Sequence, residues 1–312
     1  NDKLKMKLKP LMNDSKVYEK IAEGKMDSLT KDEKNSNVAK SYLFIKKHIE
    51  RLSNSYNLEE IVSALNKLYL VDFPLGENDS AHQIYESINA KGSKLLAVDL
   101  IRNFVLMNTK DEDKEILYEE KWHPIEDKFN DITKLENFFR FFLTNRIKDF
   151  VAKNSVYDEF QKWFYLKSKM YGMREILDEI DKYSDYYLNL YHKDINELDS
   201  KIRDIIREFR YISSDMPASF VMEIYSLLDN GKIKHEEFSE IVSIINSFIV
   251  RRAIIGLDTS GITRFFPTLL KKVNDLINLE GISFLEATKI VVINNNTNVA
   301  SRMPSDKELK DI

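Results

Sequence analysis

Residues 137–150 read NFFRFFLTNRIKDF, a run that interleaves phenylalanines with Arg140, Arg146 and Lys148. Two readings compete for it. Aromatic rings alternating with cations are the mix on which a single-stranded nucleic acid stacks. Phenylalanines at helical spacing are the buried face of a helix. The second reading places the run inside a helical bundle, and the sequence around it agrees.

From Asp79 onward the chain shows helical periods separated by caps and breakers, with almost no strand signal. The spacing predicts helices over 79–91, 96–109, 111–129, 134–152, 155–169, 172–192, 196–212, 217–229, 235–255, 260–278 and 283–293. Gly172, Gly231, Gly256 and Gly281 fall at or near expected ends, and Pro217 suits a first helical turn.

Ahead of Asp79 the pattern is mixed. Val38, Tyr42, Ile45, Ile49 and Leu52 form the stripe of an amphipathic helix over 36–54, with that face expected to be buried. Asn57 is placed to cap a shorter helix. The alternating residues 3–9 and the β-branched, aromatic run KLYLVDFPL (67–75) read as two strands that would pair. The expected fold is therefore mainly α: a small α/β portion over 1–108, followed by a multi-helix domain over 109–312.

Composition narrows the chemistry. The chain has 312 residues, no cysteine and a formal net charge of -4. Disulfides, thiol nucleophiles and Cys-ligated zinc are thereby excluded, and any nucleic-acid surface must be local rather than global. No apolar run approaches the ~18–20 residues of a membrane span. The reading is a soluble, cytoplasmic protein with no membrane partner.

Several familiar motifs fail on inspection. His48, His82, His123, His192 and His235 show no metal-ligand spacing. SLLDNGKIKHEEF (226–238) imitates a calcium loop at Gly231 and Glu237 but puts Ser226 and Leu228 where charged oxygen ligands belong, so it reads as a helix corner. Phosphate-loop, dinucleotide and nucleophile-elbow signatures are missing. A basic run, VRRAIIGLDTSGITRFFPTLLKK (250–272), offers Arg251, Arg252, Arg264, Lys271 and Lys272 beside a glycine-containing turn as candidate DNA contacts, against the plainer reading of a helix corner with solvated charges.

HQIYESINAKGSKLLAVDLIRNFVLM (82–107) is more unusual. A helix face carrying Ile84, Tyr85 and Ile88 is interrupted at Gly92, and a second face begins at Leu95 and Val98. Glu86 and Asn89 share one face; Asp99, Arg102 and Asn103 are three and four apart on the next. This is either a structural corner or a loop held to meet a ligand.

The same residues resemble the F-E-x-x-N-x-x-G-x-x-L-[ST]-x-x-D-L-I-R-N segment of the GmrSD family, the bacterial modification-dependent restriction enzymes and their phage-defence relatives. LKMKLKPLMNDSKVYEKI, SNVAKSYLFIKKHI, EKWHPIEDKF, YDEFQKWF, NGKIKHEEFSEIV, the 250–269 run and RMPSDKEL are similar to successive family segments, in family order. The resemblance implies a ParB- and sulfiredoxin-like domain that binds and hydrolyses a nucleoside triphosphate, with a divalent metal, and then a helical connector. It further implies a His-Asn-His-type nuclease domain, beyond the connector in the family's order, that acts on modified DNA. It implies that Glu86, Asn89, Gly92, Asp99, Arg102 and Asn103 support the nucleotide site.

Two departures matter: the family's D-G-Q-Q-R motif and its nuclease motif are both absent. The expectation is thus a central fragment that links nucleotide state to a nuclease domain in cis or in trans, with homo-oligomerisation open. On this reading the chain is inactive alone. A free-standing helical regulatory module is the rival. Leu96 also stands at the family's Ser/Thr cap position, which predicts a helix start weaker by ~1 kcal/mol unless Ser93 substitutes.

Overall fold

A computed structural model describes residues 12–69, 96–110, 113–129, 131–212, 214–258, 260–293 and 301–311. Among the described residues the chain is mainly helical and contains no strand. Of the two expected strands only Lys67–Tyr69 are described, as the end of a turn and two residues in no regular structure; the remainder lies outside the described residues, as does the helix expected over 79–91. The chain divides into two compact units, Asn1–Asp79 and Ser80–Ile312. That division precedes the 108/109 boundary read from the sequence and puts the helix carrying Asp99 and Arg102 in the larger unit.

In the smaller unit, α1 (Met12–Ala22), α2 (Lys31–Asn35), α3 (Asn37–Leu52) and α4 (Leu58–Leu65) are short to medium helices, and the last three begin where short polar side chains can cap them. The Thr30 and Asn57 side chains accept from the N–H groups of Glu33 and Glu60, whose carboxylates return the contact to the cap N–H, so orphan amides are satisfied in pairs. The cap expected at Asn57 is therefore present. The buried face expected on α3 is not: Val17 of α1 and Leu29 cluster with Ala39, while Ile45 and Ile49 remain 55% and 38% exposed.

The larger unit is organised around α8. It comprises α5 (Ala97–Met107), α6 (Lys114–Leu117), α7 (His123–Asp127), α8 (Ile132–Ile147), α9 (Val156–Lys167) and α10 (Met173–Tyr191). It continues with α11 (Ser200–Tyr211), α12 (Ala218–Asp229), α13 (His235–Ile254), α14 (Ser260–Thr263), α15 (Phe265–Glu280), α16 (Phe284–Ile293) and α17 (Asp306–Lys310).

Helix α8 carries most of the NFFRFFLTNRIKDF run and packs against α5, α9, α10, α12 and α15. A helix touched from so many sides must be apolar almost all round, which is why Phe138, Phe139, Phe141 and Phe142 come in adjacent pairs instead of a single stripe. Phe138, Phe139 and Phe142 are fully buried. Phe142 meets Trp163 edge to face at 5.1 Å, and Phe139 stacks on Trp122 at 5.9 Å. The run is core, and the stacking-surface reading falls.

One of its charges is absorbed into the core. Arg146 lies 3.9 Å over the Tyr183 ring and pairs with Glu179 at 3.0 Å. Lys148 takes the left-handed conformation, φ 59, that ends α8 well short of the expected residue 152. The 226–238 run is the α12–α13 corner, turned at Gly231 with φ 66. The helix expected over 111–129 is interrupted by a π-helical turn, Tyr118–Trp122, ahead of Pro124.

Candidate functional site

Helix α5 begins without a side chain that can cap it, since Leu96 has no acceptor. The missing group arrives from α8: the Ala97 N–H donates to Glu136 Oε1 at 3.0 Å. With Asp99 in its first turn, the helix start faces two carboxylates, which suits the positive end of its dipole. The weakened start expected from Leu96 is thus compensated by a residue far along the sequence.

One turn further on, Arg102 joins two elements. Its Nη2 donates to Asp99 Oδ1 at 2.9 Å and its Nη1 to Glu126 Oε1 at 3.0 Å, the latter on α7. All three side chains are partly buried, at 23%, 27% and 19% exposure, so these charge-assisted bonds are less screened than surface pairs.

The π-helical turn explains how Glu126 gets there. One extra residue per turn shifts the phase of the residues after it; Trp122 enters the core at 0% exposure while Glu126 meets α5. Tyr118 opens that turn. Burial, and next the Glu126 carboxylate, hold its phenol above the usual range, with Arg102 opposing. His123 Nδ1 lies 3.0 Å from Asp127 Oδ2 and its ring is 5.7 Å from Tyr118.

The structure therefore brings Asp99 and Arg102 together, with the half-buried Asn103 on the same helix. Glu86, Asn89 and Gly92 lie outside the described residues. Arg102 has both terminal nitrogens on carboxylates, which commits two of its five N–H groups. Its role in this geometry is to orient Asp99 and Glu126. Among the described residues no group of three or more His, Cys, Asp or Glu is placed to hold a metal ion.

The basic run separates into two sets. Arg252 is corrected from surface cation to structural residue: it is 3% exposed, donates to the carbonyls of Arg302 at 2.9 Å and Asp258 at 2.7 Å, and lies 5.5 Å over the Phe248 ring. Burial, and next the charge of Arg302, lower its pKa. Arg251 also holds the C-terminal segment, through Asp306 Oδ1 at 2.6 Å and the Pro304 carbonyl at 3.1 Å. Arg264, Lys271 and Lys272 are exposed, Lys272 lying 5.5 Å from the Phe265 ring.

Sequence reasoning missed Glu126, Tyr118 and Glu136. Glu126 stands in EKWHPIEDKF, but it is 24 residues from Arg102, and helical spacing relates only residues three or four apart. Scans of this chain against protein-family models, curated proteins and solved structures found no match.

Proposed function

We propose that this chain works within a bacterial NTP-dependent, modification-sensing DNA restriction protein of the phage-defence kind, coupling nucleotide state to DNA cleavage. The observation that supports this reading is the Arg102 bridge. It ties the LAVDLIRNF and EKWHPIEDKF segments, both of which resemble the GmrSD family, into one part-buried cluster. In the proposal Glu86, Asn89, Gly92 and Asn103 meet the nucleoside triphosphate and its divalent metal. Asp99 is held in position by Arg102, and a change at the nucleotide reaches α7 and the bundle through Glu126.

The exposed cations Arg264, Lys271 and Lys272 are assigned to the DNA backbone, while Arg251 and Arg252 are committed to the 302–306 segment. A nuclease domain in cis or in trans supplies cleavage, in the cytoplasm.

The test is NTP hydrolysis and cleavage of DNA carrying modified cytosines by the native gene product. Asn89→Ala and Asp99→Asn should each lower NTP-dependent activity by about tenfold or more, equivalent to at least ~1.4 kcal/mol. Unchanged hydrolysis in both, with far-ultraviolet circular dichroism showing folded protein, returns the cluster to a structural brace. Triple alanine replacement of Arg264, Lys271 and Lys272 should reduce the salt dependence of DNA binding by up to about three counterions. An unaltered slope removes them from the interface.

A further inference from the structure

Helix α8 leaves one of its charges poorly served. Arg140 faces a cavity of about 160 Å³ where α8, the start of α12 and α15 meet, walled by Phe141, Phe150, Met216 and Pro267. The hydroxyl-bearing Thr144 and Ser219, 4% and 2% exposed, also line it. The guanidinium carbon lies 4.5 Å over the Phe141 ring, and the side chain is 18% exposed. Its Nε is buried and has no hydrogen-bond partner among the described residues. Asp215 Oδ2 stands 3.7 Å from Nη2, too far for a hydrogen bond, and its side chain is 55% exposed.

This arrangement is costly for a cation so close to the core. A buried guanidinium has five N–H groups to satisfy, and leaving them short of acceptors is costly. Other arginines of the same unit, Arg102 among them, also leave a buried Nε without a partner, but the terminal nitrogens of Arg102 are held by two carboxylates at 3.0 and 2.9 Å, whereas Arg140 Nη2 lies 3.7 Å from Asp215. Arg140 borders a cavity whose lining combines apolar side chains with Asp215, and Asp215 can turn to solvent.

We infer that this cavity is a binding site for a short-chain monocarboxylate, whose carboxylate takes the Arg140 N–H groups and whose apolar chain lies against Phe141, Phe150 and Met216. Planar carboxylates fit a guanidinium with two parallel bonds, and apolar walls with a few placed polar groups are the usual lining of a small-molecule site. The volume restricts the occupant to a handful of heavy atoms. The inference is independent of the nucleotide reading, because it uses neither α5 nor α7.

Calorimetric titration of the 312-residue chain with butyrate, and with butyramide as the neutral isostere, tests it. Butyrate should bind saturably at one site, with butyramide weaker by about tenfold or more. Arg140→Gln should weaken butyrate by about tenfold or more, whereas Asp215→Asn should tighten it by removing a competing carboxylate. Asp215→Asn alters an exposed group, so it remains informative even where Arg140→Gln unfolds, which a circular-dichroism melt reports. Non-saturable butyrate binding, equal affinity for butyramide, undiminished binding by folded Arg140→Gln, or weaker binding by Asp215→Asn would each overturn the assignment.

Discussion

The two compact units hold their helices by different means. Among the described residues of the smaller one, the buried apolar cluster is Val17, Leu29 and Ala39, while Phe44, Leu58 and Leu65 stand 71%, 69% and 58% exposed. Its helices α2, α3 and α4 each begin at a side-chain cap. In the larger unit many helix starts lack such a cap, among them α5, α9 and α12, yet one hydrophobic core, rich in aromatic rings, runs from α5 to α16. Burial of a phenylalanine outweighs a cap by severalfold. Where a core exists, helix ends can be left to neighbours such as Glu136; where it is small, local hydrogen bonding carries a larger share.

Core truncation should separate the units most sharply. Phe139→Ala, at a fully buried position between Trp122 and Phe160, should cost about 3–5 kcal/mol in urea denaturation. Leu29→Ala, 5% exposed in the small cluster, should cost about 2 kcal/mol, at the low end for its type. Equal losses at the two sites would break the contrast.

Polar contacts in the larger unit should rank next. Arg102→Met leaves Asp99 and Glu126 facing each other without their shared cation, a loss of about 1–3 kcal/mol. The companion Glu126→Gln, which keeps a hydrogen-bond acceptor, should cost less. A larger loss from Glu126→Gln would mean that Arg102 suffers more from partial solvation than the acids do.

At the edge of the same unit, pH becomes the probe. The Arg302 guanidinium, and next the Ser305 N–H and hydroxyl, pull the Glu308 carboxyl down to about 2. A depressed acid contributes stability that is fully present above the ordinary carboxylate range and disappears as pH falls toward about 2. Glu308→Gln should therefore flatten the acid limb of the stability profile and leave the profile's shape above pH about 6 unchanged. A carbon-13 titration of Glu308 that ends near pH 4 instead would remove this pair from the acid response.

Much of the larger unit was legible because its cause is local. Period 3.6 placed α9 to α13 within a few residues, and the phenylalanines of α8 marked a buried helix face, though not that the helix is buried on several sides. Ends set by backbone geometry were not legible: a lysine at φ 59 carries no glycine signal, and the π-helical turn at Tyr118–Trp122 departs from the period itself. The cluster was half legible. Asp99 and Arg102 share a helix face, but Glu126 and Glu136 reach α5 only through tertiary packing, and Arg252 reads in sequence like any surface arginine.

The smallest effect concerns how helices end in the well-cored unit. Both α8 and α15 finish with a left-handed residue whose N–H bonds back four positions, Lys148 to Thr144 at 2.9 Å and Gly281 to Ile277 at 2.8 Å. At Lys148 the conformation costs roughly 1–2 kcal/mol that glycine would not incur. Glycine in turn loses about 0.5–1 kcal/mol through the freedom of its unfolded chain, and the lysine charge favours a helix C-terminus by about 0.3–1 kcal/mol. Lys148→Gly should therefore be stabilising by only about 0.5 kcal/mol or nearly neutral, whereas Gly281→Ala, with φ 68, should be destabilising by about 1 kcal/mol. Were Lys148→Gly instead to lower the urea midpoint as much as Asn57→Ala does, helix ends in the two units would matter equally, and the larger core would not make its caps dispensable.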